Sequence, residues 1–264
     1  MSNVRETAVA GTFYPAEPDR LKELVQQYLD EAVPAPQPQP PKAIIAPHAG
    51  YVYSGPIVGS AFKPLAGKMA GVQRVVLIGP AHTMAIEGLA TVSVDAFATP
   101  LGLVPVDRAV VEGIQSLPQV QVNDAAHSRE HALEVMLPFL QTLAADFAIV
   151  PLVAGSTTGE DVFELLRRLW GGPETLIVIS SDLSHYYDYE TAVALDKKTA
   201  EAIEQLRPDK LGRESACGRL PIQGLLLTAK EAGLQAVTAD LRNSGDTAGS
   251  KDRVVGYGAF LLFG

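Results

Sequence analysis

The stretch Ala43-Ile44-Ile45-Ala46-Pro47-His48-Ala49-Gly50 decides the fold class, because a short, uninterrupted apolar run ends in a histidine held between proline and glycine. The same event occurs twice more. Arg74-Val75-Val76-Leu77-Ile78 leads into Gly79-Pro80-Ala81-His82, and Thr175-Leu176-Ile177-Val178-Ile179 leads into Ser180-Ser181-Asp182-Leu183-Ser184-His185. Apolar, β-branched runs without polar alternation are the signature of strands covered on both faces, which belong to parallel sheets flanked by helices. The expected fold is therefore α/β, with a central, largely parallel sheet. Ligands of such sheets bind where loops leave the carboxyl ends of the strands. Three of the five histidines, His48, His82 and His185, are expected at that edge.

Composition supports one domain over residues 1–264. Hydrophobic residues make up 47% and charged residues 19%, the balance of a globular protein rather than a disordered or fibrous one. The net charge of −9, from 30 acidic and 21 basic residues without a Lys/Arg cluster, argues against nucleic acid as a partner. Met1 to Gly11 lacks the basic-then-apolar pattern of a secretory signal, and no apolar run reaches the roughly 18 residues of a membrane span. Cys217 is the sole cysteine, so no internal disulfide forms. These features set the expectation of a cytoplasmic protein with no membrane partner.

Outside the three strand-to-histidine units, Asp19 is expected to cap a helix running to about Ala32. Residues 34–41, with five prolines in eight positions, read as a surface connector. Tyr51 to Pro56 reads as a loop opening a helix to about Leu65. Residues 89–106 read as short strands broken at Thr99-Pro100-Leu101-Gly102. Helices are expected over Val106–Leu117, up to Trp170, over Tyr189–Leu206 and over Ile222–Ala232, with Pro221 in the first turn of the last. Residues 124–145 carry a polar focus of Asp124, His127, Glu130, His131 and Glu134 leading into an amphipathic helix interrupted or begun again at Pro138. Strands are expected at Ala148–Val153 and Val254–Phe263. No repeat of 20 to 50 residues is present.

The chemistry-bearing residues allow several readings. His48, His82 and Cys217 would supply two imidazoles and a thiolate to one metal ion, leaving open positions for water or substrate; that donor mix suits iron, copper or zinc. Asp182 and His185 would then orient an imidazole and move protons. Cys217 precedes a helix and stands beside Arg219, a setting that lowers a thiol pKa. A metal-free alternative makes Cys217 a nucleophile with a histidine base. His127-Ser128-Arg129-Glu130-His131 has the H-x-x-E-H spacing of a zinc peptidase helix, but no third acidic ligand stands out downstream.

Taken together, Ala46-Pro47-His48-Ala49-Gly50-Tyr51, Gly79-Pro80-Ala81-His82, Glu130-His131-Ala132-Leu133-Glu134, Ser180 to His185 and Cys217-Gly218-Arg219-Leu220-Pro221-Ile222 resemble, in that order, the Memo family. Its prokaryotic branch is known as AmmeMemoRadiSam system protein B. Val9-Ala10-Gly11-Thr12 and Asn243-Ser244-Gly245-Asp246 extend the resemblance over nearly the whole chain. It implies a fold similar to that of class III extradiol dioxygenases, and a metal, iron first with copper or zinc as alternatives, on His48, His82 and Cys217. A glutamate stands where the cysteine does in those dioxygenases, which argues against simple ring cleavage. The resemblance further implies that His185, Asp182, His131 and Glu134 line the catalytic pocket. Its implied activity is redox or dioxygenase-like chemistry on a small molecule; the alternative is a peptide-binding adaptor or metal-handling protein linked to a radical SAM protein and an Ammecr-type protein. One departure is Ala132, where serine is expected after His131.

Overall fold

The computed structural model describes residues 3–32 and 39–264. The chain begins with strand β1 (Val4–Arg5), helix α1 (Pro18–Asp30), β2 (Ala43–Ala46), α2 (Tyr51–Phe62) and β3 (Arg74–Pro80). Short elements follow: β4 (Leu89–Thr91), β5 (Ala96–Thr99), β6 (Gly102–Pro105), α3 (Arg108–Ile114), β7 (Val120–Val122), α4 (Asp124–Ser128) and α5 (Leu137–Leu143). The second half contains β8 (Ala148–Ala154), α6 (Gly159–Leu169), β9 (Thr175–Ser180), β10 (His185–Tyr187), α7 (Tyr189–Glu204), α8 (Arg219–Glu231), β11 (Gln235–Asn243) and β12 (Val254–Phe263). Most of the proline-rich stretch 34–41 lies outside the described residues.

The main sheet runs β10-β12-β2-β9-β3-β8-β4-β7, with β11 paired to β12. Its centre is parallel, since β2, β9, β3 and β8 pair in that sense. Its flanks are not: β12 runs antiparallel to β2, and β4 antiparallel to β8. The sheet is thus mixed, parallel where the apolar runs predict it. Every residue of β2 and β9 is buried, and burying a side chain such as Ile44 or Ile179 is worth about 1.5–3 kcal/mol. The β5–β6 hairpin forms where expected, but joins β1 in a separate three-stranded sheet.

The helices form two packed groups, α1 with α2 and α5, and α6 with α8. A Cβ on Gly55 would lie 2.3 Å from the Tyr28 ring, and one on Gly59 2.4 Å from the Tyr28 carbonyl oxygen, so these glycines set the approach of α2 to α1. Thr158 and Asp161 form a capping box at the start of α6, and Asp107 caps α3 through the Val110 amide.

Two local expectations change. Asp19 lies inside α1; the N-cap is Glu17, with Pro18 at the first helical position. Helix α2 starts at Tyr51 and contains Pro56, because the otherwise orphan Tyr51 amide donates to the Phe13 carbonyl oxygen at 2.8 Å. The helix expected to begin again at Pro138 is α5, preceded by the short α4 and a 3₁₀ turn over Glu134–Met136. Strand β11 has no counterpart in the sequence reading.

Candidate metal centre

His48 and His82 emerge beyond the carboxyl ends of β2 and β3, where the sheet reading places them. Parallel register sets Ala46 beside Ser180, so the end of β9 lies against the loop carrying His48. The His48 amide donates to Asp182 Oδ1 at 2.7 Å. Its ring Nδ1 lies 2.7 Å from Ser180 Oγ. That hydroxyl gives its own hydrogen to the Ala132 carbonyl oxygen at 2.6 Å, so it can only accept from His48. The proton therefore resides on Nδ1, and Nε2 carries the lone pair.

His82 is held from a different direction. Its amide donates to Glu130 Oε2 at 2.6 Å, and its Nδ1 lies 2.9 Å from Glu130 Oε1. Oε1 also accepts from the Ala132 amide at 3.0 Å. Burial alone would raise the Glu130 carboxyl, but the hydrogen bonds from the His82 ring and amide and the Ala132 amide outweigh it and hold it at about 2. The carboxylate is thus an acceptor, Nδ1 of His82 is its donor, and Nε2 is free for a ligand.

The third imidazole is His131. Its ring stacks on His82 with centroids 4.8 Å apart and meets His48 edge-on at 5.4 Å. Nδ1 of His131 lies 3.4 Å from Glu130 Oε1, and Phe13 covers the ring at 4.9 Å. One nitrogen from each of His48, His82 and His131 falls within 4.8 Å of the others. Burial, reinforced by the neighbouring imidazoles, holds both His48 and His131 below the ordinary histidine value. Neutral rings with directed lone pairs fit a divalent transition metal, for which imidazole is a suitable donor.

Cys217 lies beside this group, its Sγ 3.3 Å from His48 Nε2 and 3.3 Å from the Asp182 amide. The expectation of an acidic thiol is overturned. Burial, then the charge of Asp182, push the thiol up to about 12, against the hydrogen bonds it accepts. Cys217 does stand just before helix α8, and the Gly218 amide favours the thiolate, but burial outweighs it. The neutral thiol has the unprotonated Nε2 of His48 as an acceptor.

Asp182 is buried, and burial raises its carboxyl, opposed by the His48 amide and the surrounding imidazoles. His185 donates through Nδ1 to the Leu183 carbonyl oxygen at 2.8 Å. It lies outside the three-ring group, close enough to act electrostatically on His48 and Asp182. Glu134 is not brought to the centre. It accepts from Arg5 and the Ala8 amide on Oε2, and from the Val9 amide and Tyr14 hydroxyl on Oε1. With both oxygens committed, it anchors the N-terminal segment in place of the catalytic role expected for it.

The H-x-x-E-H reading also falls. Helix α4 ends at Ser128, so His127 and His131 share no helical face. His127 is buried, its Nε2 2.9 Å from the Ala90 carbonyl oxygen, and burial brings it down to about 4. Sequence reasoning missed Ser180 and Glu130 as orienting groups, although both sit inside motifs it quoted. Ala132 costs the centre no contact, because it acts through its amide and carbonyl; its Cβ would meet one on Gly79 at 3.1 Å.

The sequence matches the family described as Memo-like protein over residues 5–261. It is 37% identical over 265 residues to a MEMO1 family protein of Aquifex aeolicus, covering 96% of this chain and 97% of that one. A MEMO1 family protein of Methanosarcina barkeri is 36% identical, with 98% and 100% covered. The crystal structure of the uncharacterized protein JW3007 from Escherichia coli K12 superposes with a TM-score of 0.54 at 15% identity, over 81% of this chain and 98% of that one, a likeness of fold. By its sequence over nearly its whole length, the chain belongs to the Memo-like protein family.

Proposed function

We propose that this protein is a metal-binding redox protein that acts on a small organic molecule in the cytoplasm, with iron as the preferred ion and copper or zinc as alternatives. The observation that carries the reading is the convergence of three imidazole nitrogens within 4.8 Å, two of them with tautomers set by Ser180 and Glu130. A bound ion would supply Lewis-acid and electron-transfer chemistry. The Asp182 carboxyl, raised by burial, and the half-buried His185 would hold and pass a proton beside it. Cys217 adds a thiol against His48 that the ion would deprotonate on ligation.

The test is anaerobic loading with Fe(II), Cu(II) or Zn(II) followed by elemental analysis. Wild type should retain one ion per chain, and His48→Ala and His131→Ala should lose it. Wild-type metal content in His48→Ala would sink the proposal. Loss in Cys217→Ser would add the thiolate to the ligand set, whereas retention would leave a three-imidazole site.

A second reading, a binding protein for a peptide or small molecule, draws support from large exposed apolar residues next to the site residues. Val52 and Tyr53 follow the His48 loop and Tyr186 follows His185, at 60%, 40% and 63% exposure. A radical SAM protein and an Ammecr-type protein are the proposed functional partners. Absence of oxygen consumption across reductants, with retained capture of such a partner, would favour it.

A further inference from the structure

Arg5 precedes the loop that completes the centre by 125 positions, yet it is buried to 5% exposure against that loop. Its guanidinium reaches three separate points there. Nε donates to the His127 carbonyl oxygen at 3.0 Å, one terminal nitrogen to the Glu130 carbonyl oxygen, and the other to the Glu134 carboxylate. Residues 129–133 between those points lie in no helix or strand, so no backbone ladder holds them. That same stretch carries His131 and also Glu130, the carboxylate that sets the His82 tautomer.

We infer that Arg5 is the positioning residue for the loop-borne part of the centre, setting the placement of His82 and His131 through Glu130, with His48 held chiefly by the end of β9. The planar fork makes this possible: five donors in fixed directions satisfy three acceptors at once, which a lysine ammonium cannot match. Phe13, carried by the segment that Glu134 anchors, closes over the His131 ring. The inference rests on the proposed metal-binding function, and its test separates the two.

Two variants are compared with wild type. Arg5→Lys keeps a charge opposite Glu134, and Arg5→Met/Glu134→Gln removes both charges so that neither is left buried alone. Circular dichroism and thermal unfolding of the metal-free proteins establish that they fold. Co(II) titration is then expected to show affinity weakened about 10- to 100-fold. Long-range ¹H–¹⁵N spectra of the metal-free variants should show shifted imidazole nitrogens for His82 and His131 and a smaller shift for His48, which the loop reaches through the Ala132 carbonyl oxygen and Ser180. Wild-type Co(II) affinity in a folded variant overturns the inference. Should wild type take up no Co(II), the proposed function fails, and the imidazole spectra alone decide the role of Arg5: unmoved His82 and His131 signals overturn it.

Discussion

His48 and His82 reach the same centre on different supports. His48 is two residues beyond a strand paired in parallel register with β9, and its two partners, Ser180 and Asp182, come from the end of that neighbouring strand. His82 also leaves a strand, but its partner Glu130 comes from an irregular loop, which Arg5 pins from the N-terminal segment. The sheet half derives its geometry from a repeating hydrogen-bond ladder with a buried apolar core on both faces. The loop half depends on a few charge-assisted contacts across long sequence separations. Ala132 joins them, giving its amide to Glu130 and its carbonyl to Ser180.

The largest effect that would sharpen this contrast is on stability. Glu134→Ala leaves the Arg5 guanidinium buried without its counter-ion and should cost about 3–5 kcal/mol, read from urea unfolding. A loss below about 1 kcal/mol would show that the Arg5–Glu134 pair is not an energetic feature of the loop.

Acid should strike the loop half as well. His127 has a folded value of about 4 against 6.5 in the unfolded chain, because it is buried. Its contribution is complete above pH 6.5 and is lost as pH falls toward 4, since the unfolded chain binds the extra proton. The expected loss is on the order of 3 kcal/mol. Unfolding free energies at pH 7 and 4.5 should differ less in His127→Gln than in wild type; equal pH dependence would refute the assignment.

Smaller effects distinguish the orienting groups. Glu130→Gln should weaken Zn(II) or Co(II) binding about 10- to 100-fold, because the carboxylate fixes the His82 ring. Ser180→Ala should weaken it by less than about tenfold, since Asp182 still holds the His48 backbone. Equal losses in calorimetric titration would erase the distinction between the halves.

Much of the fold was legible in local runs. The apolar stretches at 43–46, 74–80 and 175–180 are buried strands for the reason their composition suggests, and Pro47 and Pro80 mark where the chain turns toward His48 and His82. Strand β11 was not legible, because Asp240 and Arg242 break its apolar pattern, and the ion pair that makes the buried Asp240 tolerable in this half-buried strand is a folded-state contact. The start of α2 was misplaced for a similar reason: its first amide is satisfied by Phe13, a partner from another part of the chain.

The sequence by itself determined the sheet centre, the family resemblance and the delivery of His48 and His82 to one edge, because each follows from residue type within a few positions. Only the tertiary structure decided that His131 joins them, that Glu134 serves Arg5, and that the Cys217 thiol is held protonated. Each of those depends on which distant group lies opposite, as with the 129 positions separating Arg5 from Glu134, and burial sets the strength of such contacts only once the chain has folded.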